Sequence, residues 1–173
     1  MKKPMQDSGE SNMPLYDNSR IRRRDRQLEA PAAQQLLETA EFGTLCLQDT
    51  AGGGYGVPLH YVWDRAETLY LHCAPEGHKL DCLAAEPRAC FVITGRSRIM
   101  PEAFSTAYES LLLHGDISTV TDETEKLSAL RAFLTKYTPQ AGERGQHFLR
   151  QAAPRTAVLR FRIRSVSGKT NRG

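Results

Sequence analysis

Residues 72–81 form the most informative stretch of this chain and read His72-Cys73-Ala74-Pro75-Glu76-Gly77-His78-Lys79-Leu80-Asp81. The apolar residues 69–71 before it predict a β-strand, and the spacing of Leu80 and Leu83 after it predicts a helix. The first turn of a helix has free N–H groups and the positive end of the helix dipole, so it binds anions. The stretch therefore predicts a strand, a turn through glycine and a helix start that suits a phosphate-bearing ligand such as a cofactor.

Length and composition are those of an ordinary globular protein. The 173 residues suffice for one domain, and the 40% apolar and 25% charged residues and the net charge of +3 do not by themselves indicate nucleic acid. No apolar run approaches the roughly 20 residues of a membrane helix, and residues 1–4 are not followed by the apolar segment of a secretory signal. We therefore expect a cytoplasmic protein that has no membrane partner and whose four cysteines are reduced and structural.

The chain divides into a polar arm and a single domain. Residues 1–20 show little periodicity and predict a disordered arm, and residues 21–173 form the domain. A basic run, residues 20–26, contains five arginines around Asp25. It is either a patch for nucleic acid or an acidic partner, or a solvated arm that packs through arginine–carboxylate pairs. The absence of interleaved aromatic residues favours the second interpretation.

Hydrophobic periodicity predicts about six strands and a few helices. The predicted strands are residues 42–47, 55–64, 68–73, 88–95, 108–120 and 156–166, and the predicted helices are residues 31–40, 78–86 and 122–137. Because strands follow one another through short turns, the order favours an antiparallel barrel with peripheral helices over a doubly wound sheet. In the second strand Tyr61 and Trp63 are predicted core residues, and Pro58, which cannot donate to a ladder, is expected at an edge or beside a ligand.

Five motifs in order carry a resemblance to a known family. They are Arg-Arg-Arg-Asp-Arg-Gln (22–27), Tyr-Gly-Val-Pro (55–58), residues 72–81, Tyr-Glu-Ser-Leu-Leu-Leu-His-Gly (108–115) and Ser-Gly-Lys (167–169). Each motif alone is weak, but together, over residues 22–170, they resemble the nitroimidazole-resistance branch of the flavin-binding split barrels, which are relatives of pyridoxamine 5'-phosphate oxidase. His114 departs from this pattern, since an aromatic residue is common there, and could reshape the substrate pocket.

The resemblance implies a mainly β protein, an antiparallel six-stranded split barrel, that forms a homodimer with FMN in the cleft between subunits. The loop and helix after the third strand would grip the phosphate, chiefly through His78 and Lys79, and His72 would face the flavin ring as the candidate catalytic residue. The ring would lie along the backbone of the second strand, and the start of the long strand would approach the same cleft from the same or the other subunit. The full set implied is Val57, Pro58, Leu59, His60, His72, Cys73, Ala74, Gly77, His78, Lys79, Tyr108, Glu109 and Ser110.

Each of these residues also has a structural interpretation. Lys79 could be a surface residue, although a cation near a helix N-terminus costs about 0.3–1 kcal/mol unless an anion offsets it. His78 could be a polar cap, and His72 could be a core histidine rather than a proton donor. Together, His72, Cys73, His78 and Cys82 could offer four zinc ligands, but residues 72 and 73 are adjacent on a strand, point to opposite faces and cannot easily reach one ion, so no metal site is expected.

Three functions remain open at this level. The first is an FMN-dependent oxidoreductase that accepts electrons from a nicotinamide or another donor and reduces small electron-poor substrates such as nitro-aromatics. The second is a non-catalytic flavin- or haem-binding module (a sensor, carrier or store) in which His72 or His60 could ligate iron. The third is a nucleic-acid binder that uses residues 20–26. The sequence identifies neither the substrate nor the electron donor.

Overall fold

A computed structural model describes Met13 and residues 15–173. The strands are β1 (Phe42–Gln48), β2 (Gly54–Trp63), β3 (Thr68–Cys73), β4 (Arg88–Met100), β5 (Ser105–Thr119) and β6 (Ala157–Asn171). The helices are α1 (Ala30–Thr39), α2 (His78–Ala85), α3 (Glu123–Tyr137) and α4 (Gly142–Ala152). All predicted strands and helices are present, and α4 is a further helix beyond the three predicted ones.

The six strands close into one antiparallel barrel. Their order is β1-β2-β3-β6-β5-β4, and β4 returns to pair with β1. This confirms the predicted six-stranded antiparallel barrel. Closure leaves no strand of the sheet without a neighbour on either side, and one face of every strand lines a common core.

The barrel interior is apolar and follows the alternation of the sequence. In β6, Leu159, Phe161 and Ile163 are buried and the arginines between them point outward. Tyr61 is fully buried, as predicted, and its hydroxyl donates to the carbonyl oxygen of Leu37 in α1 at 2.6 Å. Because a fully buried large apolar side chain contributes about 1.5–3 kcal/mol, this interior is the main source of stability.

The ladder between β2 and β3 is short. It contains only the pairs Tyr61–Leu71, Val62–Tyr70 and Trp63–Leu69, and residues 54–60 of β2 pair with β1 alone. The edge of residues 54–60 that faces β3 therefore has no strand partner among the described residues. We call this opening the β2–β3 gap. Pro58 lies on it, which agrees with the expectation that this proline lies at an edge or beside a ligand.

Strands β4, β5 and β6 are longer than the sequence indicates. Residues 96–107 lie outside the predicted strands, but they continue the β4–β5 hairpin to a tip at residues 101–104. Strand β6 was expected to end at residue 166, but it runs to Asn171, which pairs with Tyr108. These ends are solvent-exposed or polar on both faces, so they lack the apolar alternation by which a strand is recognised, and backbone pairing alone extends them.

Helix α3 is fastened across the outer face of β2 and β3. The hydroxyl of Tyr137 lies 2.6 Å from the carbonyl oxygens of both Glu41 and Tyr61. At the other end of the helix, Glu125 pairs with Arg160 of β6 and accepts a hydrogen bond from the Tyr70 hydroxyl at 2.9 Å. The helix therefore bridges β2, β3 and β6 and covers the outer side of the short ladder.

The segment before α1 lies along β6. Tyr16 bridges to Val166, and the Leu28 N–H donates to the carbonyl oxygen of Gly168 at 2.9 Å. In the arginine run, Arg23 pairs with Asp25 at 2.6 Å. Most of the arm predicted to be disordered, residues 1–12 and 14, lies outside the described residues. Among the described residues, no helix combines the length and apolar character needed to cross a membrane.

Gly115 tests the packing of the barrel. A Cβ atom added there would lie 2.2 Å from the backbone oxygen of Arg162, at the register shift between β5 and β6. Relief of this clash would require the backbone of β6 to shift, which lowers the stability of the folded state. We expect Gly115→Ala to lower the free energy of unfolding by about 1–3 kcal/mol in a denaturant titration. Gly56→Ala is the matched control, because its nearest neighbour would be the Thr44 methyl at an ordinary 3.5 Å. Equal stability of the two variants would contradict this account.

Candidate functional site

Two histidines stand at the mouth of the β2–β3 gap. Because Tyr61 pairs with Leu71, the next opposed positions are His60 and His72, which lie just beyond the last pair of the ladder. Opposed residues of antiparallel strands share a face, and here that face is the outer one. His60 also donates a hydrogen bond from Nδ1 to the carbonyl oxygen of Glu41, 2.9 Å away. Two imidazoles are thus brought together where the backbone of both strands becomes available.

Helices α3 and α4 form an apolar cavity over these histidines. Its volume is about 440 Å³. The His72 ring packs edge-on against Phe133 with centroids 4.6 Å apart, and the His60 ring does the same against Tyr137 at 5.0 Å. Phe148 of α4, a large apolar residue with 66% of its surface exposed, lines the opposite wall. The cavity has the size and mostly apolar lining of a small-molecule site with a few polar groups.

The surroundings of His72 favour its neutral form. Desolvation beside Phe133 lowers the pKa of His72 below its usual 6.5, and the positive charge of protonated His60 lowers it further. A neutral imidazole can donate and accept a hydrogen bond, or ligate a metal ion. His72 is therefore suited to bind or orient a ligand at neutral pH without carrying a charge.

The start of α2 is open to a ligand. Gly77 adopts φ 123° and ψ 165°, a region that only glycine enters readily, and no side chain caps the helix. A Cβ atom at this glycine would meet nothing within 4 Å, so the space beside it is free. Lys79 follows on the first turn, and its charge lowers the pKa of Cys73, although burial raises that pKa more. The turn thus joins free N–H groups to a cation beside the end of β3, as the sequence predicts.

His78 has partners that the sequence does not reveal. Its Nε2 lies 2.9 Å from Oδ2 of Asp49 and 3.5 Å from Sγ of Cys82. Tyr55 of β2 packs edge-on against the ring with centroids 4.9 Å apart. The ring nitrogen that remains for a phosphate is therefore Nδ1. The sequence carries no signal for this contact because Asp49 lies 29 residues away, in the glycine-rich β1–β2 turn.

The predicted residues of β2 and of the loop line the gap. Val57 and Leu59 are half-buried against the core, while Pro58 and His60 face outward, so the ring-lining role predicted for this strand rests on its free backbone edge and outer face. Cys73 is half-buried and Ala74 is exposed. The four cysteines are free thiols, as expected.

Tyr108, Glu109 and Ser110 lie near the start of β5, which β4 and β1 separate from β2 in the barrel. In β6 they pair with the last residues, whereas His72 pairs with Val158 near the start of that strand. Around the other side of the barrel, Glu109 lines a surface pocket together with Phe42, the β1 partner of His60. Approach from the same subunit and approach from the other subunit therefore both stay predictions.

Comparisons with known proteins agree with this architecture. Residues 29–170 match the family model described as pyridoxamine 5'-phosphate oxidase. A candidate 5-nitroimidazole antibiotic resistance protein from Bacteroides thetaiotaomicron is 22% identical, with a TM-score of 0.68 over 82% of this chain and 84% of that chain. No curated protein matches at a significant level.

Two further solved structures share the fold. A flavocytochrome from Azotobacter vinelandii is 19% identical, with a TM-score of 0.70 over 84% of this chain and 68% of that chain. A FAD and haem binding protein from Mycobacterium smegmatis is 20% identical, with a TM-score of 0.69 over 84% and 72%. At these identities, the similarity is evidence for the fold alone.

The effect of His60 on the pKa of His72 can be tested by titration. We expect the ring protons of His72 in an NMR titration to show a midpoint below 6.5, and His60→Gln to raise that midpoint because it removes a like charge. Between the folded midpoint and 6.5 the unfolded chain binds more protons, so the stability that neutral His72 contributes falls as the pH falls through this window. His114→Gln, on the outer face of β5, is the control and should leave the midpoint unchanged. A midpoint above 6.5 would refute the proposed environment.

Proposed function

The chain belongs to the pyridoxamine 5'-phosphate oxidase family, and from this premise we propose that it binds FMN along the β2–β3 gap and acts as an oxidoreductase. The observation that carries the proposal is the layout of the gap. An anion-binding helix start lies beside Tyr55 at one end, and the His60–His72 pair lies beside an apolar cavity at the other.

The dimensions of the gap support an elongated ligand. Five residues of extended strand separate Tyr55 from His60, about 17 Å. A flavin mononucleotide has a phosphate at one end and a planar ring at the other. The start of α2 suits the phosphate, because N–H groups and Lys79 can hold an anion. The free backbone edge of residues 57–60 suits the planar ring, because it offers hydrogen-bond groups to the ring edge.

The residues of the chain then have distinct roles. Lys79 and the N–H groups after Gly77 hold the phosphate, with a contribution from Nδ1 of His78. Val57, Pro58, Leu59 and His60 line the ring, with Cys73 and Ala74 between the two ends. When bound, the flavin supplies reversible electron and hydride transfer. His72 faces the reacting side, where a neutral imidazole can hold a proton for a substrate.

The cavity favours a small and largely apolar substrate. Its lining is dominated by leucine and aromatic side chains, with the two histidines as the main polar groups. Electron-poor aromatic compounds, including nitro-aromatics, fit this lining and would accept electrons from a reduced flavin. We propose a nicotinamide as the electron donor.

A homodimer would complete the cleft. We propose that Tyr108, Glu109 and Ser110, on a strand that β4 and β1 separate from β2 within one chain, approach the flavin from a second copy. The β4–β5 hairpin exposes Phe104 at 99% and Ile99 at 75%. Exposed apolar groups of this size on one hairpin are typical of interaction surfaces.

Haem is the second candidate ligand, and one observation favours it. His60 and His72 face the same apolar cavity, and imidazole beside an apolar wall is the usual environment of haem iron. A protein that binds haem there without turnover would be a sensor, carrier or store. The visible spectrum of the purified protein separates the two candidates, because flavin and haem absorb at different wavelengths.

Lys79 tests flavin binding. We expect the purified protein to take up FMN, and Lys79→Gln to weaken the affinity about 10- to 100-fold, because a charge-assisted bond to phosphate is worth about 1.5–3 kcal/mol. Fluorescence titration with FMN measures the affinity. Arg65→Gln is the control, since this exposed cation lies in the β2–β3 turn, away from the gap. A protein that binds no FMN, or a Lys79→Gln variant that binds it as tightly as the parent, would refute the proposal.

Phe104 tests the dimer. We expect light scattering to show a dimer for the parent protein and a larger monomer fraction for Phe104→Ser, with FMN affinity falling in parallel because residues 108–110 of the second copy are lost. Leu15→Ser, which removes an apolar side chain that is 46% exposed elsewhere, should leave the dimer intact. A monomeric parent protein that binds FMN fully would contradict the shared cleft.

A further inference from the structure

Three side chains from two distant segments converge on one point behind the start of α2. Asp49 lies in the β1–β2 turn, and His78 and Cys82 lie one helical turn apart on α2. The i, i+4 spacing places both helix residues on one face. One ligand atom from each lies within 4.8 Å of the other two, and among the described residues no other such group of three is found.

The contacts do not form a catalytic relay. In a cysteine or serine triad the nucleophile and the acid address different nitrogens of the imidazole. Here Oδ2 of Asp49 and Sγ of Cys82 both approach Nε2 of His78, at 2.9 and 3.5 Å. Cys82 is also fully buried, so it is not available to attack a substrate. Convergence on one nitrogen is instead the arrangement expected around a shared cation.

The two separations from Nε2 of His78 can be compared with those of a tetrahedral zinc site. With Zn–N and Zn–S bonds of about 2.05 and 2.3 Å, a tetrahedral angle places nitrogen and sulfur about 3.6 Å apart. The observed separation is 3.5 Å. The corresponding nitrogen–oxygen separation is about 3.4 Å, so Asp49 would have to withdraw by about 0.5 Å. Nitrogen, thiolate and carboxylate are also the ligand types that zinc uses in proteins.

The surrounding contacts hold the ligands in place. Oδ1 of Asp49 accepts a hydrogen bond from the Ala51 N–H at 2.8 Å, which leaves Oδ2 to face the histidine. Tyr55 packs against the His78 ring and fixes its orientation. The hydrogen bond from His78 lowers the pKa of Asp49, so this carboxyl is charged at neutral pH. Supporting contacts of this kind are typical of metal ligands.

We propose that Asp49, His78 and Cys82 bind a divalent zinc-class cation, with a fourth position open to water or another ligand. Binding replaces the thiol proton of Cys82, which is released to solvent, and the two negative ligands neutralise the cation. The site links the β1–β2 turn to α2 and would brace the helix that begins the anion site. The proposal does not rest on flavin binding, because it uses Nε2 of His78 and neither Lys79 nor the gap.

The test uses the full chain under reducing conditions with Zn²⁺ or Co²⁺ alone. We expect one Zn²⁺ per chain in equilibrium dialysis, and a near-ultraviolet thiolate-to-cobalt absorption band with Co²⁺. Cys82→Ala should abolish the band, and Asp49→Asn, which keeps the turn acceptor, should weaken Zn²⁺ binding at least tenfold. Cys73→Ala is the matched control, since this neighbouring thiol is outside the cluster, and it should keep both signals. Lys79→Gln should lose FMN affinity and keep Zn²⁺.

Two results would overturn the proposal. One is the absence of a thiolate–cobalt band in the folded parent protein, which would leave only an ion pair beside a buried thiol. The other is Zn²⁺ binding that Cys82→Ala and Asp49→Asn leave unchanged. Should Cys82→Ala fail to fold, His78→Gln replaces it, because the His78 side chain is 45% exposed and its loss does not open the core.

Discussion

The short ladder between β2 and β3 is the constraint on which the rest of this structure depends. Six strands close the barrel only if β2 pairs with β3, yet the pairing ends after Trp63, Val62 and Tyr61. The unpaired backbone beyond this point would be costly if buried without partners. Helix α3 covers the outer side of the ladder through Tyr137 and Glu125, and the gap itself is left open. The short β2–β3 ladder thus determines both how α3 stabilises the barrel and where the candidate site lies.

The candidate binding groups lie at the two ends of the β2–β3 gap. At one end the glycine turn and Lys79 offer a site for an anion, and at the other the His60–His72 pair faces an apolar cavity. Neither end alone indicates a function, since helix starts and apolar cavities are common in proteins. Their separation along one strand edge supports a ligand with a charged end and a flat end. The Asp49–His78–Cys82 cluster supports the same helix from behind.

Much of this architecture is predictable because local patterns agree with the tertiary structure. The alternation in β6 and the strand–turn–helix of residues 68–85 appear where the sequence indicates. The predictions were wrong where both faces of a strand are largely exposed, as in the outer β4–β5 hairpin, because hydrophobic periodicity carries no signal there. They were also incomplete at Asp49, because a contact across 29 residues leaves no mark on local spacing.

The sequence by itself determined the element types, the barrel class and the strand–turn–helix of residues 68–85, because hydrophobic alternation, glycine and helix starts act over a few residues. Only the tertiary structure decided which side chains meet. It opposed His60 to His72, turned Nε2 of His78 toward Asp49 and Cys82, and placed β4 and β1 between residues 108–110 and β2. The physical reason is that strand register and barrel closure are set by the whole core together, so contacts between distant segments are known only once the barrel is closed.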